Sequence, residues 1–181
     1  MIIALSGKMG CGKTTLADEL LQIRPGHRIS FADALREEVA ALLNVYLRDV
    51  YTQEFKSEEF QIGNRRMTGR EILQWWGTEI RRASDKDYWS RKMAERCQLM
   101  PGCFLVVDDM RFMSELEVMR DLHAICIRIN PHENWTPGPS ANHASETDLD
   151  EYTLWDMVVS LGYGKIRECA GRIMSYKDAT G

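Results

Sequence analysis

Residues Gly7-Lys8-Met9-Gly10-Cys11-Gly12-Lys13-Thr14 match G-x-x-x-x-G-K-[ST] at every fixed position. The chemistry of that spacing is phosphate binding. Backbone N–H groups of the loop and of a following helix converge on an anion. Lys13 reaches the β- and γ-phosphates and the Thr14 hydroxyl holds Mg²⁺. Gly10, Cys11, Gly12, Lys13, Thr14 and Thr15 are therefore the candidate nucleotide-binding residues. The bland alternative is a structural glycine turn.

Three further groups carry candidate chemistry. Asp108-Asp109-Met110-Arg111 follows the apolar run Phe104–Val107. A carboxylate at such a strand end, taken as Asp109, reaches Mg²⁺ through water beside Thr14, and Arg111 suits a transferring phosphoryl group. A polar strand end explains the same residues. Asp33 follows Ser30-Phe31-Ala32 and accepts a hydrogen bond from a substrate hydroxyl or base, positions Mg²⁺, or caps the helix expected from Ala34. Over Thr68 to Arg82, a period of about 100° per residue puts Arg70, Gln74, Gly77 and Arg81 on one face, with Arg82 further round. That face is an ordinary solvated one, or it grips a phosphate and a base edge with Gly77 admitting close approach. Trp75 and Trp76 stack a base or fill a core, and at least one is expected in the core.

The elements that must position these groups follow from periodicity. Ile2–Leu5 reads as a buried strand, and Leu16, Leu20 and Leu21 place a helix after the loop. A second strand is expected at His27–Phe31, a helix at Ala34–Leu47, and an irregular charged excursion from Arg48 to Met67. Thr68 with Glu71 forms a capping box that opens a helix to Arg82. Further helices are expected at Asp87–Met100, Ser114–Leu122 and Lys165–Tyr176, with strands at Cys103–Val107, Ala124–Ile129 and Asp156–Leu161. Between them, Asn130–Ser145 is a loop with three prolines, and Ser145 is placed to cap a short helical turn containing Glu146. The alternation implies an α/β fold, a parallel five-stranded sheet flanked by helices, with ligands at the carboxyl ends of the strands.

Composition narrows the function classes. The 181 residues fit one domain, with a helical substrate-binding excursion over about 34–100 and a lid-like loop over about 130–146. A net charge of −4 provides no overall basic field, so no nucleic-acid polymer is expected as partner. Five scattered cysteines without a C-x-x-C pair read as reduced residues of a cytoplasmic protein. Neither a signal peptide nor a transmembrane run is expected, and His123, His132 and His143 lack zinc-site spacing. A homodimer is possible, at a surface the sequence does not locate.

Taken together, GKMGCGKTT at Gly7–Thr15, SFADALRE at Ser30–Glu37, GREILQWWGTE at Gly69–Glu79, DYW at Asp87–Trp89, VVDDMRF at Val106–Phe112 and HASE at His143–Glu146 resemble the phage-type deoxynucleoside monophosphate kinases. The resemblance implies a P-loop kinase fold, ATP and Mg²⁺ on the loop, and a deoxynucleoside monophosphate (dNMP) on the Arg70–Gln74 face. It implies transfer of the γ-phosphoryl to give dNDP and ADP for DNA precursor synthesis, in a host cytoplasm if phage-encoded. Asp109 and Arg111 belong to its D-x-RF element, Asp33 and Arg36 to its FAD element, and Arg82 to the arginine after GTE, whereas helix geometry selects Arg81. His143 and Glu146 fall in its lid. The chain departs from the pattern where the family's FAD-P-L-K reads Phe31-Ala32-Asp33-Ala34-Leu35-Arg36, and where Asn130–Ser145 holds no Arg or Lys. Arg111, Arg128 and the Arg65-Arg66 pair are the candidates to replace a lid arginine. The rival readings are a kinase of another phosphorylated metabolite, such as dephospho-coenzyme A, and a non-catalytic nucleotide switch.

Overall fold

The computed structural model describes residues 1–132, 135–136, 144–162 and 164–180, apart from the side chains of 177–180. In chain order the elements are β1 (Ile2–Gly7), α1 (Lys13–Ile23), β2 (His27–Ile29), α2 (Phe31–Leu43), α3 (Leu47–Val50), α4 (Gln53–Ser57), β3 (Glu59–Ile62), β4 (Arg65–Thr68) and α5 (Gly69–Gln74). A π-helical segment, Trp75–Arg82, continues from α5. Then come α6 (Tyr88–Gln98), β5 (Leu105–Met110), α7 (Met113–Asp121), β6 (Ile125–Asn130), α8 (Ala144–Thr147), β7 (Met157–Ser160) and α9 (Ile166–Thr180). The chain divides into two compact units, one of residues 1–30 with 94–181 and one of residues 31–93.

The first unit is built on a parallel sheet in the order β2-β5-β1-β6-β7. Its central strands read as apolar runs because both faces are covered. Ile3 and Leu5 belong to a core shared with Leu16, Leu20, Ala170 and Ile173 of α1 and α9, all fully buried. Ala4, Val107 and Cys126 are equally inaccessible. Each fully buried leucine or isoleucine contributes about 1.5–3 kcal/mol, so this sheet is a rigid base for the groups at its strand ends. Two expected boundaries near the site move. β5 runs on through Asp108-Asp109 to Met110 rather than stopping at Val107. Ser145 lies inside α8, which begins one residue earlier, so it is not the cap of that turn. All five cysteines are free.

The second unit packs Val39, Val50, Phe55 and Ile72 into its own core, with Leu35 and Trp76 partly buried against them. Thr68 and Glu71 form the capping box: Thr68 N donates to Glu71 Oε2 at 2.7 Å and Glu71 N donates to Thr68 Oγ1 at 3.3 Å. The expected irregular excursion is instead two short helices and an antiparallel hairpin, β3-β4, closed at Gly63-Asn64. α2 starts at Phe31, so Asp33 sits within its first turn and is not the cap of a helix starting at Ala34.

The helix expected to run regularly to Arg82 changes pitch at Trp75. A π-helix bonds i to i+5 and widens the turn, so the 100° step no longer describes the face beyond Gln74. The widened segment turns Gly77 inward: a Cβ there would lie 3.1 Å from Leu35 Cδ2, and Gly77 O accepts from Trp89 Nε1 at 3.0 Å. Gly77 is thus a packing residue. Arg81 is drawn to Glu38, whose Oε2 accepts from Arg81 Nε at 2.8 Å and from Trp76 Nε1 at 2.7 Å, while Oε1 accepts from Tyr88 OH. The Arg81 guanidinium lies 5.0 and 4.8 Å from the Trp76 and Tyr88 ring centroids.

Burial works to raise the Glu38 carboxyl, but the bonds from Tyr88, Trp76 and Arg81 outweigh it and hold it below the ordinary carboxylate value. A lowered native pKa means stability that is present above the unfolded value and is lost as pH falls through the native one. Glu38→Ala is expected to cost about 2 kcal/mol in urea unfolding at pH 7, by stranding three donors. The difference from wild type should shrink below about pH 4. A loss that is the same at pH 7 and at low pH would contradict the ionised hub.

Candidate phosphate-binding site

The site of the first unit grows from the carboxyl ends of β1, β5 and β6. The turn from β1 into α1 is tight because Gly12 adopts a left-handed conformation, φ 95°. A Cβ at Gly12 would stand 2.8 Å from Leu161 Cδ1, so only glycine closes this turn. Cys11 N donates to Lys8 O at 3.2 Å, and Leu16 N to Gly12 O at 2.9 Å, which fixes the loop against the helix start. Lys13 lies largely buried beneath the loop, with Nζ donating to Gly7 O at 2.6 Å and Lys8 O at 2.8 Å. Burial pushes its ammonium below the usual lysine range; Cys11 opposes this, Arg111 adds to it, and Glu146 and Asp108 oppose it. Thr14 and Thr15 are exposed on the first turn of α1.

Asp108 and Asp109 part company here. Successive residues of a strand point to opposite faces. Asp108 Oδ2 accepts from Thr14 Oγ1 at 3.0 Å, with Arg28 Nε at 4.0 Å, whereas Asp109 Oδ2 accepts from Ser30 Oγ at 2.5 Å. The carboxylate that accepts from the Thr14 hydroxyl is therefore Asp108, whereas Asp109, the residue expected beside Thr14 at Mg²⁺, accepts from Ser30. Among the described residues no three His, Cys, Asp or Glu side chains gather into a metal cage. A hydroxyl next to one carboxylate fits Mg²⁺, which takes one or two protein ligands and fills the rest with water and phosphate oxygens.

Cations surround the loop. Arg111 pairs with Glu146, and Glu146 Oε2 accepts from Met9 N at 2.7 Å. Lys8 Nζ donates to Glu146 O at 2.6 Å and Asp150 Oδ2 at 2.5 Å. Arg128, beside Ser6 in the sheet register, donates to Ser6 Oγ at 3.1 Å and to Asp150 Oδ1 at 2.7 Å. Arg111, Arg128 and Glu146 thus belong to one network at the loop; His143 lies outside the described residues. Lys8, Asp108 and Asp150 were not singled out by sequence. Lys8 occupies a variable position of the motif, and Asp150 lies far away in the chain with no pattern of its own. Trp135 Nε1 also donates to Met9 O at 2.8 Å. A cavity of about 760 Å³ adjoins the loop, lined by Gly10, Cys11, Gly12, Pro131, His132 and Leu161.

In the second unit, Arg70 and Gln74 are exposed on α5. Gln74 lines a groove of about 330 Å³ with Arg65, Arg66, Glu71, Trp75 and Glu79. Arg82 lies half-buried at the end of the π segment. Asp33 Oδ1 accepts from Arg36 Nη1 at 3.1 Å and from the Tyr51 hydroxyl at 2.9 Å, and the Arg36 guanidinium lies 4.6 Å from the Tyr51 ring centroid. Burial and then the Asp33 carboxylate raise the Tyr51 phenol.

Asp108→Asn is expected to raise the Mg²⁺ concentration for half-maximal ATP binding by about tenfold, and Asp109→Asn to move it by less than about twofold. Titrating Mg²⁺ against ATP binding for both variants checks this; the reverse ranking would return the metal role to Asp109.

No protein-family model matches the chain. A curated relative from Acanthamoeba polyphaga mimivirus, described as a "Putative deoxynucleotide monophosphate kinase", is 27% identical over 202 residues, spanning 98% of this chain and 96% of the relative. Among solved structures, dephospho-CoA kinase from Campylobacter jejuni matches with a TM-score of 0.53 at 16% identity, over 96% of this chain and 95% of that one. Shikimate kinase from Acinetobacter baumannii, in complex with shikimate, matches with a TM-score of 0.50 at 11% identity, over 99% and 93%. The parallel five-stranded sheet, its flanking helices and these structural likenesses establish the P-loop kinase fold of the chain.

Proposed function

We propose that this protein is an ATP- and Mg²⁺-dependent kinase that transfers the γ-phosphoryl group of ATP to a deoxynucleoside monophosphate, giving dNDP and ADP. The observation that carries the kinase reading is the gathering of Lys13, Arg111 and Arg128 at the phosphate loop, with Asp108 against Thr14. The end-to-end likeness to the mimiviral protein supports the choice of acceptor.

Phosphoryl transfer asks little covalent chemistry of the protein; positioning and charge neutralisation lower the barrier. The loop N–H groups and Lys13 hold the donor's phosphates, Thr14 and Asp108 hold Mg²⁺, and Arg111 and Arg128 balance charge on the moving group. Mg²⁺, when bound, neutralises phosphate charge. The cavity bordered by Cys11, His132 and Leu161 has the size and lining for the donor's base. Acceptor recognition falls to the second unit. Arg70 and Arg82 supply cations for the acceptor phosphate, Gln74 a donor–acceptor edge for its base, and Asp33 with Arg36 a polar pair for its sugar or phosphate. A homodimer is compatible with this reading and is not required by it.

A dephospho-coenzyme A-like acceptor is the second reading, favoured by the fold match over 96% of the chain. A coupled ADP-release assay across all dNMPs, NMPs and dephospho-CoA separates the two, the first reading predicting turnover with one or more dNMPs. Lys13→Ala should abolish that turnover, and Arg70→Ala should raise the acceptor KM about tenfold or more with a smaller effect on kcat. Turnover confined to dephospho-CoA, or an Arg70→Ala variant with unchanged kinetics, would refute the dNMP site.

A further inference from the structure

Glu146 is the acidic side chain of the loop network that is most withdrawn from water, 4% exposed. Its two oxygens are divided between unlike donors, Arg111 Nη1 on Oε1 and the Met9 backbone N–H on Oε2. A guanidinium and a loop amide are the two kinds of donor that a phosphoryl oxygen takes. The same carboxylate acts on the Lys13 charge, as does Arg111. Its own backbone carbonyl and the Asp150 carboxylate bind Lys8, so the segment that carries Glu146 is fastened to the loop on both sides.

We propose that Glu146 is a phosphate mimic that competes with the donor's terminal phosphate for Met9 N–H and Arg111. Binding of the terminal phosphate breaks the Arg111–Glu146 pair and frees Arg111 for the transferring group. The competition sets a selectivity between nucleoside triphosphate and diphosphate, because only the triphosphate has the group that takes the place of the carboxylate. It also couples donor binding to the anchorage of residues 144–150, which Glu146 ties to the loop. This inference rests on the reading of the loop as an ATP site.

Isothermal titration of ATP and ADP, with Mg²⁺, into wild type, Glu146→Gln and Glu146→Asp tests it. Glutamine keeps the size and one acceptor oxygen but removes the charge. Aspartate keeps the charge but is one methylene too short to reach both donors. Glu146→Gln should bind ATP about tenfold more tightly, the worth of one charge-assisted hydrogen bond, with ADP gaining at least about fivefold less. Glu146→Asp should shift in the same direction by a smaller factor, and serves as the test if the glutamine variant does not fold. Equal gains for ATP and ADP would reduce Glu146 to a through-space charge and overturn the proposal. Weaker ATP binding in either variant would overturn it too, making Glu146 a positioning residue for Arg111. Wild-type ADP binding is a separate readout: its failure sinks the nucleotide-site reading itself, whereas the ATP-to-ADP ratio bears on Glu146 alone.

Discussion

Four cations, Lys8, Lys13, Arg111 and Arg128, crowd the carboxyl ends of β1, β5 and β6, and their mutual repulsion is the constraint to which the rest of the first unit answers. Like charges held close in a partly buried site cost several kcal/mol unless anions or dipoles offset them. Each cation has its counterweight. Lys13 bonds to loop carbonyls, Lys8 and Arg128 share Asp150, and Arg111 takes Glu146. The anions come from α8 and the turn after it, a short segment with little core of its own. A phosphate chain satisfies the same cations, so the arrangement that stabilises the loop is also what a nucleotide competes with.

Much of this was legible in the sequence because it depends on local spacing. The loop motif, the apolar strand before it and the apolar stripe after it specify strand, turn and helix within twenty residues. Thr68 and Glu71 form their capping box for the same reason: both partners lie within one helical turn. The hairpin also had a local signal, Phe60 and Ile62 alternating with polar residues before Gly63-Asn64, and the density of charge around it masked the pattern.

The rest was illegible because long-range partners decide it. Asp108 and Asp109 are equivalent until the sheet fixes which one faces Thr14 and which one faces Ser30. Helix periodicity favours Arg81 for the acceptor, and carries no sign that Glu38, more than forty residues earlier, pairs with it. The change of pitch at Trp75 follows no local rule. It accompanies the packing of Gly77 on Leu35 and the bond from Trp89, and periodicity carries no trace of either. Arg128 illustrates the same limit. Its place beside the loop comes from register with Ser6, so β6 delivers an arginine that the sequence of Asn130–Ser145 does not contain.

The proposed work of the charge assembled at this loop is transfer to a nucleotide acceptor and not hydrolysis. Incubation with γ-labelled ATP and an accepted dNMP, followed by chromatographic identification of the labelled product, tests it most directly. Transfer to the acceptor predicts label in the β-phosphate of the deoxynucleoside diphosphate, with Mg²⁺ required and little label in inorganic phosphate. Label released chiefly as inorganic phosphate, at a rate independent of the acceptor, would contradict it.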